Sequence, residues 1–267
     1  MRLAVLHATH YDYGSSLSYA VQRLYLTPQS FGAQEVVSWS VEAPGMKNAL
    51  TYLDGFGNRV HLVTYQNLSG PVTITASGIV DCIDRHGVVQ GLACPAPDSV
   101  FLRQTLATAP SSAIRAMADK LGPGDALDRL HRLMSDVHGK VAYEIGATHA
   151  HTTAAEAFAD GRGVCQDHAH IFLGAARHLG IPARYVTGYL VTGQGASSTA
   201  AHAWAEALVP GLGWVGFDPA NGKSPTDQYV RVAAGIDAAG ITPIRGSRRG
   251  GDSERMTVEV RVEFAQQ

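Results

Sequence analysis

The sequence predicts an α+β protein: helices packed on an antiparallel sheet, preceded by a small β-sandwich-like domain. Three changes of texture predict it. Up to about residue 100, short alternating segments such as VVSWSVEAP, RVHLVTYQN and PVTITASGIVDC are separated by Gly, Asn, Asp and Pro, the pattern of an antiparallel β unit. From about 110 to 180 the apolar residues recur at helical spacing, and beyond 180 they return to strand spacing. A chain of 267 residues can bury a core of its own, in one large or two small domains.

Each element has a local reason. MRLAVLHATHYDYG alternates apolar and polar residues and carries histidine early, so it reads as a strand and not as a signal peptide. CPAPDSVFLRQTLATAPSS is rich in proline and breaks periodicity, which makes it a linker. Ile114, Met117, Ala118 and Leu121 follow a Ser111/Ser112 cap and stop at Gly122-Pro123; Leu127, Leu130, Met134 and Val137 follow Asp125 in the same way. Thr153 and Glu156 have capping-box spacing. Ala169, Phe172, Leu173, Ala176 and Leu179 form a helical stripe that Gly180 and Pro182 end. ARYVTGYLV, HAWAEALV, WVGFDP and MTVEVRVEF read as strands, whereas Arg245, Arg248 and Arg249 among glycines read as a solvated basic loop. The expected division is a β domain over 1–100, a core over 101–225 and an extension over 226–267 that ends in a strand.

Composition narrows the function classes. The net charge of −2 offers no basic excess for a phosphate backbone, so no nucleic-acid partner is expected. No apolar run approaches the ~20 residues of a membrane span, and the expected location is cytoplasmic. Cys82, Cys94 and Cys165 cannot all pair, and their spacing matches no zinc pattern. No cofactor or metal is called for; oligomeric state is not legible.

The segment GRGVCQDHAH sets Cys165 in the first turn of the helix ended by Gly180. There, unpaired N–H groups and the positive end of the macrodipole favour an anion, a thiolate or the oxyanion of a tetrahedral intermediate. The competing reading is a small core residue, but the apolar stripe of this helix lies at Phe172 and Leu173.

A thiol nucleophile needs a base, and the base an orienting group. HAWAEALVPGLGWVGFDPANG reads as a hairpin in which His202, Trp204 and Glu206 share one face of the first strand. A three-residue loop Pro210-Gly211-Leu212 pairs Val209 with Gly213 and sets Asp218 diagonal to His202, within reach. A two-residue Pro-Gly turn places them on opposite faces. Singly, His202 reads as a satisfied strand residue and Asp218 as turn punctuation; in this order with Cys165 they read as a triad.

Gln166 and Asp167 follow the nucleophile and are candidates for substrate contact, or simply first-turn residues. Trp204, with Trp214 and Tyr189, is a candidate apolar wall beside the acyl group, or core. His149 and His151 lie just upstream of the helix and read as a loop that borders the cleft or is merely solvated. Asp167 and His168 point about 100° apart on a helix, so Cys165, Asp167, His168 and His170 make a poor metal site. Residues 191–201 are small and polar, a loop at the cleft mouth.

GRGVCQDHAHIFLGAARHLGIPARYVTGYL and HAWAEALVPGLGWVGFDPANG, with their spacing, resemble the core of the transglutaminase-like superfamily of papain-like thiol enzymes. YDYGSSLSYAVQRLYLTP and DGFGNRVHLVTY are similar to the β domain preceding that core in bacterial transglutaminase-like cysteine proteases, and the C-terminal stretch is similar to the ending of the same group. The one departure is Tyr25 and Gln29 where that group suggests arginine. The resemblance implies Cys165 as nucleophile, His202 as base and Asp218 as its orienting carboxylate. It also implies attack on an amide or peptide carbonyl, release of an amine, and an acyl-thioester resolved by water or a second amine. Hydrolysis of a peptide or protein amide is the expectation; acyl transfer to an amine, and a silent fold that binds a peptide or partner, are the alternatives.

Overall fold

The computed structural model describes residues 1–191 and 201–265. The chain opens with β1 (Arg2–Asp12), β2 (Leu17–Thr27), β3 (Gln34–Glu42), β4 (Leu50–Leu53), β5 (Arg59–Leu68), β6 (Val72–Cys82) and a short β7 (Val88–Val89). Then come α1 (Ser112–Asp119), α2 (Ala126–Lys140), β8 (Ala142–Tyr143), α3 (Ala154–Asp160), β9 (Arg162–Gly163) and α4 (Cys165–His178). The chain ends with β10 (Ala183–Leu190), β11 (His202–Val209), β12 (Gly213–Phe217), β13 (Tyr229–Gly235), β14 (Ile244–Gly250) and β15 (Arg255–Phe264). Among the described residues, no helix is long and apolar enough to cross a membrane.

The helix starts are capped as their sequences demand. Ser111 accepts from the Ile114 N–H, and the Asp125 carboxylate from those of Leu127 and Asp128. Thr153 and Glu156 complete a capping box. Gly180, at φ 75°, makes the left-handed turn that closes α4.

Two four-stranded sheets, in the orders β15-β1-β6-β3 and β14-β2-β5-β4, face each other. Between them lie Tyr11, Leu17, Leu24, Val63, Val72 and Ile74. The third sheet, β13-β10-β11-β12-β7, carries α4 on one face. There the small side chains of Ala203, Ala205 and Ala207 let the helix approach, and Phe172 stacks on Phe217 at 5.3 Å. Helices α1, α2 and α3 surround α4, which explains why Ala169 through Ala176 are all buried. The mixed α+β architecture with an N-terminal β region is the one the sequence predicts.

Three local readings are corrected. Residues 244–250 are not a solvated loop but β14, paired with β2 from Ile244↔Leu24 to Gly250↔Leu17. The stretch has no apolar alternation, so only its long-range partner makes it a strand. The proline-rich segment is not a loose linker: Phe101 and Thr108 are fully buried, and the Arg177 guanidinium donates to Thr108 Oγ1 at 3.0 Å. Nor do the sheets follow the boundaries expected at residues 100 and 225. β7 and β13 belong to the sheet beneath α4, while β14 and β15 return to complete the two N-terminal sheets. Sheet edges seek hydrogen-bond partners without regard to sequence distance.

Candidate functional site

Cys165 opens α4 and is half-buried. The chain reaches it through β9, which pairs with β8 in parallel, Ala142 with Arg162 and Tyr143 with Gly163. As the first two helical residues, Cys165 and Gln166 have N–H groups without intrahelical acceptors.

Asp167 fastens this approach. Its Oδ2 accepts from the Val164 N–H at 2.8 Å and the Thr148 hydroxyl at 2.6 Å. The side chain is 1% exposed, so it braces the turn before Cys165 and does not face the cleft. His168 is equally buried, its ring nitrogens 2.9 Å from the Val164 carbonyl and 3.0 Å from that of Val141.

β11 and β12 have the register of the three-residue loop, with Val209 opposite Gly213 and Ala205 opposite Phe217. Asp218 is thereby diagonal to His202, and His202 Nε2 lies 2.7 Å from Asp218 Oδ2. Asp218 is wholly buried yet well supplied with donors. The Tyr229 hydroxyl and the Asn221 amide reach Oδ2 at 2.8 and 2.7 Å, and the N–H groups of Ala220 and Asn221 reach Oδ1. Burial works against its ionised form, but the His202 bond and charge, with the donors of Asn221 and Tyr229, outweigh it and hold the carboxyl below its usual range.

The same balance acts on His202. Burial opposes the imidazolium, but hydrogen bonds to Asp218 and Cys165, and the charges of both, raise it to about 9. With Nε2 committed to Asp218, Nδ1 is the nitrogen left for the thiol. His202 and Asp218 are thus joined directly, and Cys165 lies near enough for its charge to act on the imidazole.

The other candidates separate. Gln166 lines a cleft of about 350 Å³ with His151, Tyr185 and Thr187; its amide donates to the Ala150 carbonyl at 3.3 Å. Trp204 is buried under the base, its ring 6.1 Å from that of His202 and edge-on to Tyr229 at 5.5 Å. It borders a separate small cavity of about 40 Å³, with Tyr229, Glu206 and Arg231. Trp214 lies under the Arg184 guanidinium at 4.0 Å, and the Tyr189 hydroxyl meets His7 Nδ1 at 2.9 Å, so both are packing residues. Of the expected mouth loop, residues 192–200 lie outside the described residues.

Sequence reasoning missed three residues. Tyr229 and Asn221 hold Asp218, and Tyr143 of β8 lies near Cys165. Burial first, then the nearby Cys165 and Asp218, push the Tyr143 phenol above its ordinary value. Only Asn221, three residues after Asp218, had a local signal, as a side chain able to bond back within its own turn. Tyr143 and Tyr229 arrive through strand pairing.

Comparison with known proteins agrees with this architecture. The model of the transglutaminase-like superfamily matches residues 115–219, and that of the bacterial transglutaminase-like N-terminal region matches 3–81. An uncharacterized protein of Mycobacterium leprae (strain TN) is 30% identical over 282 residues, covering 97% of this chain and 98% of its own. One of Mycobacterium tuberculosis (strain ATCC 25618 / H37Rv) is 28% identical over 292 residues, covering 98% and 92%. A crystal structure from Cytophaga hutchinsonii, described as "a Putative Cysteine Protease", shares the fold with a TM-score of 0.75 at 21% identity, over 100% of this chain and 92% of that one. With the two family models matching 3–81 and 115–219 in order, and a relative of 30% identity matched along 97% of this chain, the chain belongs to the transglutaminase-like superfamily, with the bacterial N-terminal region ahead of its core.

Proposed function

We propose that the protein is a thiol amidohydrolase that cleaves a peptide or protein amide through an acyl-thioester on Cys165. The observation that carries this reading is the contact of His202 Nε2 with Asp218 Oδ2 at 2.7 Å, with Cys165 near enough that its charge acts on the same imidazole. As the thiolate attacks the carbonyl carbon, the carbonyl π pair moves to oxygen, and the N–H groups of Cys165 and Gln166 stand where an oxyanion forms. The thiol proton, held on His202 Nδ1, passes to the amide nitrogen; the C–N bond breaks and the amine leaves. Water then attacks the thioester, giving its proton to His202, and the carboxylic acid departs as the thiol is restored. Asp218 stays ionised and balances the imidazolium throughout.

The test is acid quench and intact-mass measurement during turnover of a fluorogenic peptide-amide library. An adduct on Cys165, absent in Cys165→Ala and His202→Ala, with free acid as product, supports hydrolysis. A product carrying an added amine moves the reading to acyl transfer. Absence of any Cys165 adduct across the library overturns both and favours a silent, partner-binding fold.

A further inference from the structure

We propose that the cleft beside Cys165 is a subsite for a carboxylate carried by the substrate next to the scissile amide, and that Arg245 reads it. The inference rests on the hydrolase reading and names its substrate class. The cleft, about 350 Å³, lies within the range of small-molecule sites. It adjoins the start of α4: Gln166, which follows Cys165 directly, lines it, and so does Tyr185, whose phenol is close enough to feel the Cys165 charge.

Its charge is one-sided. Among the described residues that line it, Arg245 is the permanent charge and His151 a second basic group, while the lining includes no carboxylate. Asp237 lies one residue outside the lining, and its Oδ1 accepts from the Gly240 N–H at 3.0 Å, within its own turn. Arg245 is not a free surface arm. Its Nη1 donates to the Ala239 carbonyl at 2.8 Å, which pins the guanidinium to the cleft wall and leaves further N–H donors. Across the β14–β2 pair Arg245 stands opposite Arg23, and like charges directly opposed are unfavourable unless an anion is shared between them.

The cleft wall completes the match. Ala238, Ile241 and Pro243 form an apolar strip beside the guanidinium. That suits a glutamate or aspartate, whose methylenes lie on the strip while the carboxylate takes the planar fork of arginine. A free terminal carboxylate offers the same chemistry, and the experiment separates the two.

Peptide amides with Glu, Gln or Lys on each side of the scissile bond are compared for kcat/KM, with free or amidated C-termini. Binding of the same peptides to Cys165→Ala is followed by fluorescence anisotropy. Glu is expected to exceed Lys by at least about tenfold, mainly in KM, with the ratio shrinking at high salt. In Arg245→Glu, an exposed position whose new side chain faces Arg23, the ratio reverses. A preference that follows the free C-terminus and not the Glu side chain assigns the subsite to a terminal carboxylate. Equal handling of Glu and Lys, or an unchanged ratio in Arg245→Glu, overturns the inference while leaving the hydrolase reading intact. If nothing is cleaved yet Cys165→Ala still prefers Glu peptides in an Arg245-dependent way, the hydrolase reading fails and the subsite stands.

Discussion

His202, which opens β11, and Asp218, just past the end of β12, are sixteen positions apart, yet Nε2 of one lies 2.7 Å from Oδ2 of the other. That contact commits one imidazole nitrogen and turns the other toward Cys165. Asp218→Asn keeps the shape but removes the charge that balances the imidazolium. Turnover of any amide substrate is expected to fall about a thousandfold or more, with the circular dichroism spectrum unchanged. A loss below tenfold would mean that Asp218 only packs.

Thiol reactivity separates the cysteines. Burial pushes the Cys82 thiol up to about 12, so it is expected to be inert to iodoacetamide near neutral pH. Cys165, half-buried at the start of α4 and near His202, should alkylate first, ahead of Cys94 as well. Peptide mapping against pH checks this, and His202→Ala should erase the advantage.

The raised value of His202 is also a statement about stability. The folded state binds its proton more tightly than the unfolded chain does, so the contribution is fully present below pH ~6.5 and is lost as pH rises through about 9. Urea unfolding of the wild type should weaken between pH 7 and 10 more steeply than that of His202→Gln. Parallel curves would contradict the linkage.

Glu206 is buried between two guanidiniums, its oxygens 2.6 Å from Arg184 Nε and 2.7 Å from Arg231 Nε. Burial opposes its charge, but the two arginines overcome that and hold it at about 2. Its contribution is present above pH ~4.3 and is lost as pH falls through about 2. Glu206→Gln leaves both cations uncompensated and should cost about 3–5 kcal/mol in denaturant unfolding at pH 7.

Gly188 lets β13 and Trp204 come close to β10. A Cβ there would stand 2.1 Å from the Val230 carbonyl oxygen and 2.7 Å from the Trp204 ring. Gly188→Ala should therefore destabilise by about 2 kcal/mol or more. Because Trp204 lies beside the His202 ring, turnover should fall as well; full activity in a folded variant would show that the base does not depend on this support.

Much of the fold was legible because its signals are local. Ser111, Asp125 and the Thr153–Glu156 pair announce their helices through side chains that reach only three residues, and Gly180 ends α4 through its own φ. The hairpin register was narrowed to two choices by loop length, and the pairing of Val209 with Gly213 is the one that sets Asp218 diagonal to His202. By contrast, IRGSRRG has no apolar period, and nothing within it says that β2 is its partner. Asp167 looked like a cleft residue from its place after the nucleophile, but helix geometry turns it inward to the Val164 N–H and Thr148.

By itself the sequence determined the α+β class, the helix that presents Cys165, and the order in which Cys165, His202 and Asp218 follow one another, because capping, periodicity and register act over a few residues. Only the tertiary structure decided that Tyr229 and Asn221 hold Asp218, that Tyr143 meets Cys165, and that β14 brings Arg245 to the cleft. Those contacts join segments through backbone pairing and burial, and such pairings depend on which edges and faces are left open once the local elements have formed.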